Sequence, residues 1–135
     1  MKYSKMVIAA ILMVAGLLVG CSQEGAQPTN GSTGYRQVNA QEAKELMDSE
    51  EGYVILDVRT DEEYAAGHIP GAILIPHDDI TIQAEEIFSD KDQLILVYCR
   101  SGNRSRQAAE ALVGLGYTNV VDFGGINDWP YEIER

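Results

Sequence analysis

Only two cysteines, Cys21 and Cys99, occur among the 135 residues, and no Cys-x-x-Cys pair is present. Thiol–disulfide exchange is thereby left without its usual dithiol. Histidine is equally scarce: His68 and His77 have a spacing that suits no standard zinc pattern, so no metal site is expected. Positive charge is short too, with 10 Lys and Arg against 21 Asp and Glu and a formal charge of −11. Nucleic acid and anionic lipid headgroups are poor partners for such a surface. No apolar run reaches the roughly 20 residues an ordinary membrane span needs. There is no internal repeat.

The longest apolar run does carry information. Met1-Lys2-Tyr3-Ser4-Lys5 is a short basic leader, Met6 to Val19 is uncharged and apolar, and Leu18-Val19-Gly20-Cys21 closes the segment. Residues 1–20 therefore read as a secretory signal rather than an uncleaved anchor. The Leu-Val-Gly-Cys tetrad resembles the lipobox of bacterial lipoproteins, which implies that Cys21 carries lipid and begins the mature protein. Cleavage there removes Lys2 and Lys5 and no acid, leaving 8 basic residues against 21 acidic ones, a charge of −13. Residues 21–34 hold no aliphatic side chain larger than Ala after the Cys and read as a flexible tether. The expected location is extracytoplasmic, lipid-anchored to a bacterial membrane and on the periplasm side where there are two membranes. Ser22 stands where an Asp would resemble an inner-membrane retention signal, which leans toward the outer membrane.

Residues 35–135 are long enough for one small domain. Short apolar strands alternate with amphipathic helices: strands over Tyr35–Val38, Tyr53–Leu56, Ala72–Ile75, Leu94–Tyr98 and Val120–Val121, and helices over Ala40–Met47, Thr60–Ala66, Thr81–Ile87 and Ser105–Leu115. Asn39 with Glu42, and Thr60 with Glu63, have the spacing of helix caps. Gly124-Gly125 is expected to turn the chain into a short segment bearing Trp129. The alternation argues for an α/β fold with a parallel sheet layered by helices.

Cys99 follows the most apolar of these strands and heads Cys99-Arg100-Ser101-Gly102-Asn103-Arg104-Ser105 at the start of a helix. Unpaired amides, the positive end of a helix dipole and flanking guanidiniums then converge on one sulfur, which favours the thiolate. A buried Cys ending a core strand is the plainer reading, but it needs neither Ser-Gly-Asn nor arginines beside it. If Cys21 is lipidated, Cys99 has no partner within the chain, so its thiol is either used chemically or paired between molecules. Arg100, Arg104 and Arg106 gather positive charge at a helix start where acids are usually favoured, suggesting that a ligand anion takes their place. Asp57, Arg59 and Glu63 read as ion pairs and turn caps rather than an acid–base set.

Four ordered blocks carry a resemblance: Leu56-Asp57-Val58-Arg59-Thr60 with Glu63-Tyr64, Gly67-His68-Ile69-Pro70-Gly71-Ala72, Val97 to Ser105, and Gly124-Gly125-Ile126 with Trp129. Together they resemble the rhodanese-like domain family over nearly all of residues 35–135. The resemblance implies a central parallel sheet of about five strands with helices on both faces, and sulfane-sulfur transfer through a persulfide on Cys99. It implies no cofactor. Its partners would be a small anionic donor such as thiosulfate or a polysulfide and a cyanide or thiol acceptor, with a protein acceptor also open. Arg100, Ser101, Gly102, Asn103, Arg104 and Ser105 would surround the sulfur, with Arg100 and Arg104 as charge partners of the donor and Gly102 at positive φ. Four residues separate Cys99 from Arg104; the related arsenate reductases and cell-cycle phosphatases have one more, and position 105 is Ser. A binding or carrier module that holds sulfur without turnover stands as the alternative.

Overall fold

The computed structural model describes residues 34–135; the leader, Cys21 and the tether as far as residue 33 lie outside it. Five strands form one sheet: β1 (Arg36–Gln37), β2 (Val54–Asp57), β3 (Ile73–Leu74), β4 (Ile95–Cys99) and β5 (Val120–Gly125). Their order is β1-β5-β4-β2-β3, with every neighbouring pair parallel. Four helices connect them: α1 (Ala40–Ser49), α2 (Asp61–Ala66), α3 (Ile80–Ile87) and α4 (Asn103–Gly114). The α/β architecture expected from the alternating pattern is the one observed.

Local chemistry explains the helix starts. The Asn39 side chain accepts the Glu42 N–H at 2.8 Å, and the Glu42 carboxylate accepts the Asn39 N–H at 2.9 Å. Thr60 Oγ1 likewise accepts the Glu63 N–H at 3.2 Å. Each such cap contributes about 1 kcal/mol by satisfying amides that the helix leaves free.

All five residues of β4 are buried, as a central strand covered on both faces requires. Side chains alternate along it. Ile95, Val97 and Cys99 join one apolar cluster with Ala108, Ala109 and Leu112 of α4 and Ile80 and Ala84 of α3. Leu96 and Tyr98 join the other with Ala43 of α1, Ile55, Val121 and Phe123. Thus α1 and α2 cover one face, and α3 and α4 the other.

That layering fixes where a ligand can enter. The chain leaves β2 for α2 on one face and leaves the adjacent β4 for α4 on the opposite face, so a crevice opens beyond their carboxyl ends. Asp57 and Cys99 are the last residues of those two strands.

Most boundaries shift by a residue or two from the sequence expectation, and three of the shifts have a visible local cause. Helix α4 begins at Asn103, two residues early, because Gly102 at φ 105° turns the chain directly into it. Strand β5 continues through Gly124 and Gly125 instead of turning there. Val97 pairs with Asp122 but Cys99 with Gly125, so β5 carries one extra residue as a bulge, which the Asp122 carboxylate pins by accepting the Gly124 N–H at 3.0 Å. A single 3-10 turn at His77–Asp79 precedes α3 and advances its start to Ile80.

Candidate active site

Strand β4 ends with Cys99 turned toward α4, and the next residues fold back over it. The Gly102 N–H donates to Cys99 Sγ at 2.9 Å, and the Ser105 hydroxyl lies 3.6 Å from the sulfur. Gly102 reaches this position at a φ of 105°, a left-handed conformation disfavoured for other residues. Gly125, opposite Cys99 on β5, makes room for the fold-back. A Cβ there would stand 2.2 Å from the Arg100 carbonyl oxygen and 2.6 Å from Ser101 Cα. The Arg100 carbonyl in turn accepts the Asn127 N–H at 3.2 Å, tying the loop to the chain beyond β5.

Cys99 is 1 % exposed. Burial alone pushes its thiol up, since the charged form loses hydration; the Ser105 hydroxyl and the amides of Ser105, Gly102 and Ser101 outweigh it, and the net result lies below the ordinary thiol range. Burial is what a plain core cysteine would show. Amides gathered on the sulfur are not.

Of the residues expected around the sulfur, the structure brings Ser101, Gly102 and Ser105 to it through their amides. Ser105 is fully buried at the start of α4, with its hydroxyl 3.1 Å from the Gly102 carbonyl and 3.4 Å from that of Gly124. Asn103 is exposed and accepts a bond from Arg106 at 3.2 Å instead. Arg100 is exposed, and its guanidinium makes no hydrogen bond or ion pair with the described residues.

Arg104 is placed differently from a free partner for a donor anion. Its two terminal nitrogens grip the Glu63 carboxylate at 2.7 and 3.0 Å. Glu63, from α2, thereby supplies from another element the acid that the first turn of α4 lacks. Hydrogen bonding to Arg104 brings the Glu63 carboxyl down to about 2 against the opposing effect of burial, with the Arg104 charge and the Thr60 cap assisting. Glu63 is thus part of the support of this loop. The sequence marked Glu63 as a cap and ion-pair residue but could not name Arg104 as its partner, which lies 41 positions away.

A second buried network lies under the end of β2. Asp57, with no exposed surface, accepts from the Arg59 backbone N–H at 2.9 Å, from the Arg59 guanidinium at 2.7 to 3.1 Å and from the Tyr98 hydroxyl at 2.7 Å. Tyr98 also accepts the Ile69 N–H at 3.0 Å, and Arg59 donates to the Gly67 carbonyl at 2.7 Å. Burial first, then the bond to Asp57, holds the Tyr98 phenol well above its usual range, so it acts as a neutral donor. Asp57 and Arg59 are the structural ion pair expected from the sequence, and the network ties the Gly67–Ile69 turn to the two central strands.

Between these two networks lies a cavity of about 340 Å³ walled by Arg59, Glu63, Arg100, Ile126 and Ile133. It occupies the crevice between the β2 and β4 ends. With Arg59 claimed by Asp57 and Glu63 by Arg104, the unpaired charge in its wall is the Arg100 guanidinium. Its one unpaired cation suits it to a small anion; Cys99 itself, one residue before Arg100, is not among the residues that wall it.

The family model described as Rhodanese-like domain matches residues 39–131. Thiosulfate sulfurtransferase PspE of Escherichia coli is 40% identical over 73 residues, covering 54% of this chain and 70% of that protein. YrkF of Bacillus subtilis, named as a candidate sulfur carrier, is 32% identical over 111 residues and 82% of this chain, but the chain spans only 59% of its length. Among solved structures, a rhodanese with anions from Escherichia coli superposes with a TM-score of 0.59 at 35% identity, covering 62% of this chain and 98% of that one.

Proposed function

The chain belongs to the rhodanese-like domain family, and on that footing we propose that it is a sulfurtransferase that carries sulfane sulfur as a persulfide on Cys99. The observation that carries the reading is the Gly102 amide 2.9 Å from the sulfur, joined by the amides of Ser101 and Ser105. Donors already aimed at a sulfur stabilise negative charge on it without reorganisation during the reaction.

In the first half-reaction the Cys99 thiolate attacks the outer sulfur of thiosulfate. A Cys99 S–S bond forms, the bond between thiosulfate's two sulfurs breaks with its electron pair going to sulfite, and Cys99 becomes a persulfide anion. In the second, cyanide or a thiolate attacks the terminal sulfur, leaving as thiocyanate or a new persulfide, and the Cys99 thiolate returns. Each half-reaction conserves charge and needs no cofactor. Arg100 is the countercharge for the entering anion, while Arg104, held by Glu63, positions the loop.

Support also comes from the relatives: PspE is named as a thiosulfate sulfurtransferase, and the Escherichia coli rhodanese structure is described with anions. The burial of Cys99 and the likeness to YrkF favour a second reading, a carrier that shelters the persulfide for a partner. Incubating the purified chain with thiosulfate and weighing the Cys99 peptide tests both. A gain of one sulfur followed by catalytic thiocyanate release on adding cyanide supports the enzyme; the same gain with no turnover supports the carrier. No gain of sulfur rejects the two together. We further place the domain outside the cytoplasm on a lipid at Cys21, a reading supported by the Leu18-Val19-Gly20-Cys21 tetrad.

A further inference from the structure

From Val120 to Phe123 strand β5 is apolar and buried at every position but one, and that one is a buried acid, Asp122. Val121 and Phe123 pack into the cluster with α1, and Val120 into the cluster with Cys99 and α4. Alternation along the strand therefore puts Asp122 on the same face as Cys99. Asp122 is 4 % exposed, and among the described residues no Lys, Arg or His forms an ion pair with it. Its carboxylate accepts the Gly124 N–H at 3.0 Å. A charge in such a place costs stability that an aliphatic side chain would not. What the acid provides, and Val or Ile cannot, is an acceptor two residues before a backbone N–H, which folds the chain locally.

That local fold reaches the sulfur through Gly124. Gly124 takes a φ of 86° within the bulge, so that Gly125 and not Gly124 stands opposite Cys99. Both groups that bond the sulfur from this side rest on Gly124. Its carbonyl is 3.4 Å from Ser105 Oγ, which lies 3.6 Å from Cys99 Sγ. Its Cα would be 3.5 Å from a Cβ built on Gly102, the residue whose N–H donates to Sγ at 2.9 Å. Asp122 and Gly124 also share one cavity wall with Ser101 and Gly102. One carboxylate thus fixes the backbone against which two donors to the sulfur are set.

We propose that Asp122 is a positioning residue for the reacting sulfur: by holding the β5 bulge it keeps the Gly102 amide and the Ser105 hydroxyl on Cys99 without touching the sulfur itself. The inference rests on the reading of Cys99 as the persulfide carrier. The negative charge of Asp122 works against a nearby thiolate, so its hydrogen bond and its charge have opposite effects and must be separated.

Two substitutions separate them. Iodoacetamide labelling of Cys99 is followed against pH in Asp122→Asn and Asp122→Ala beside the parent chain. Both variants lose the charge, but Asp122→Asn keeps an acceptor oxygen at the same reach. The Cys99 midpoint in Asp122→Ala is expected about one unit above that in Asp122→Asn, a tenfold lower thiolate fraction at any pH below both midpoints. Thiocyanate turnover from thiosulfate and cyanide in that pH range is expected to be lower in Asp122→Ala as well. A residue serving stability alone would lower the melting temperature and leave the two midpoints together. Should Asp122→Ala fail to fold, Asp122→Val removes the same acceptor while matching the apolar strand around it, and takes its place in the comparison. Equal midpoints or equal turnover with and without the acceptor, or a higher midpoint in Asp122→Asn, overturn the proposal. A parent chain that gains no sulfur from thiosulfate instead rejects the sulfurtransferase reading, and the midpoints alone then decide whether Asp122 sets the donors on Cys99.

Discussion

Ser105 has one hydroxyl proton and three neighbours that can receive it: the carbonyls of Gly102 and Gly124 at 3.1 and 3.4 Å, and the Cys99 sulfur at 3.6 Å. An ionised sulfur is the acceptor that gains most, since hydrogen bonds to charged groups are worth about 1.5–3 kcal/mol. Ser105→Ala should therefore raise the thiol pKa by about one unit, read from the pH dependence of iodoacetamide labelling. An unmoved midpoint would assign the hydroxyl to the carbonyls alone. Glu63 offers a second residue-level test. Its carboxyl is lowered from 4.5 to about 2, chiefly by the bond to Arg104, so its contribution to stability is complete above 4.5 and is lost as pH falls toward 2. Glu63→Gln should lower the melting temperature near neutral pH and flatten its decline between those values, as thermal melts across that range would show. Cys99, Gly102 and the cap at Thr60 were legible because their partners lie within a few positions. The clamp between Glu63 and Arg104 was not, because it depends on where α2 packs.

At the scale of elements, periodicity located every strand and helix core, and the misplaced edges have specific causes. The extra residue in β5 opposite Val97–Cys99 leaves no mark on a pattern of apolar residues, so Gly124-Gly125 read as a turn. Its purpose is visible only when the loop after β4 is seen lying on Gly125. A methyl group at that position meets backbone, not a flexible side chain, and backbone cannot rotate away. Gly125→Ala should thus displace the loop and lose most sulfur transfer, at a stability cost of about 1–3 kcal/mol typical of overpacking. Denaturant titration beside a thiocyanate assay checks this; near-parental activity would show the loop free to shift. A pairing of His68 with Glu134 lay equally beyond the sequence, since 66 positions separate them.

Across the whole molecule, layering α1 and α2 on one face and α3 and α4 on the other opens the crevice, and the order β5-β4-β2 places Cys99 beside it. Asp57, Arg59 and Tyr98 brace that crevice from below, where loss of one partner of a buried ion pair costs about 3–5 kcal/mol. The acidic surface makes a lipid, rather than attraction to anionic headgroups, the means of membrane attachment proposed here. Cys21→Ser should shift the protein from the membrane fraction to the soluble extracytoplasmic fraction and abolish incorporation of a labelled fatty acid; unchanged labelling would place the lipid elsewhere. All of this architecture converges on one sulfur whose neighbouring amides favour the thiolate. The most direct measurement is a titration of Cys99 in the purified chain, followed by thiolate absorbance or labelling rate against pH. A midpoint clearly below the ordinary thiol value of about 8.5 is expected. A midpoint at or above that value would contradict the account, because burial would then have prevailed over the amides.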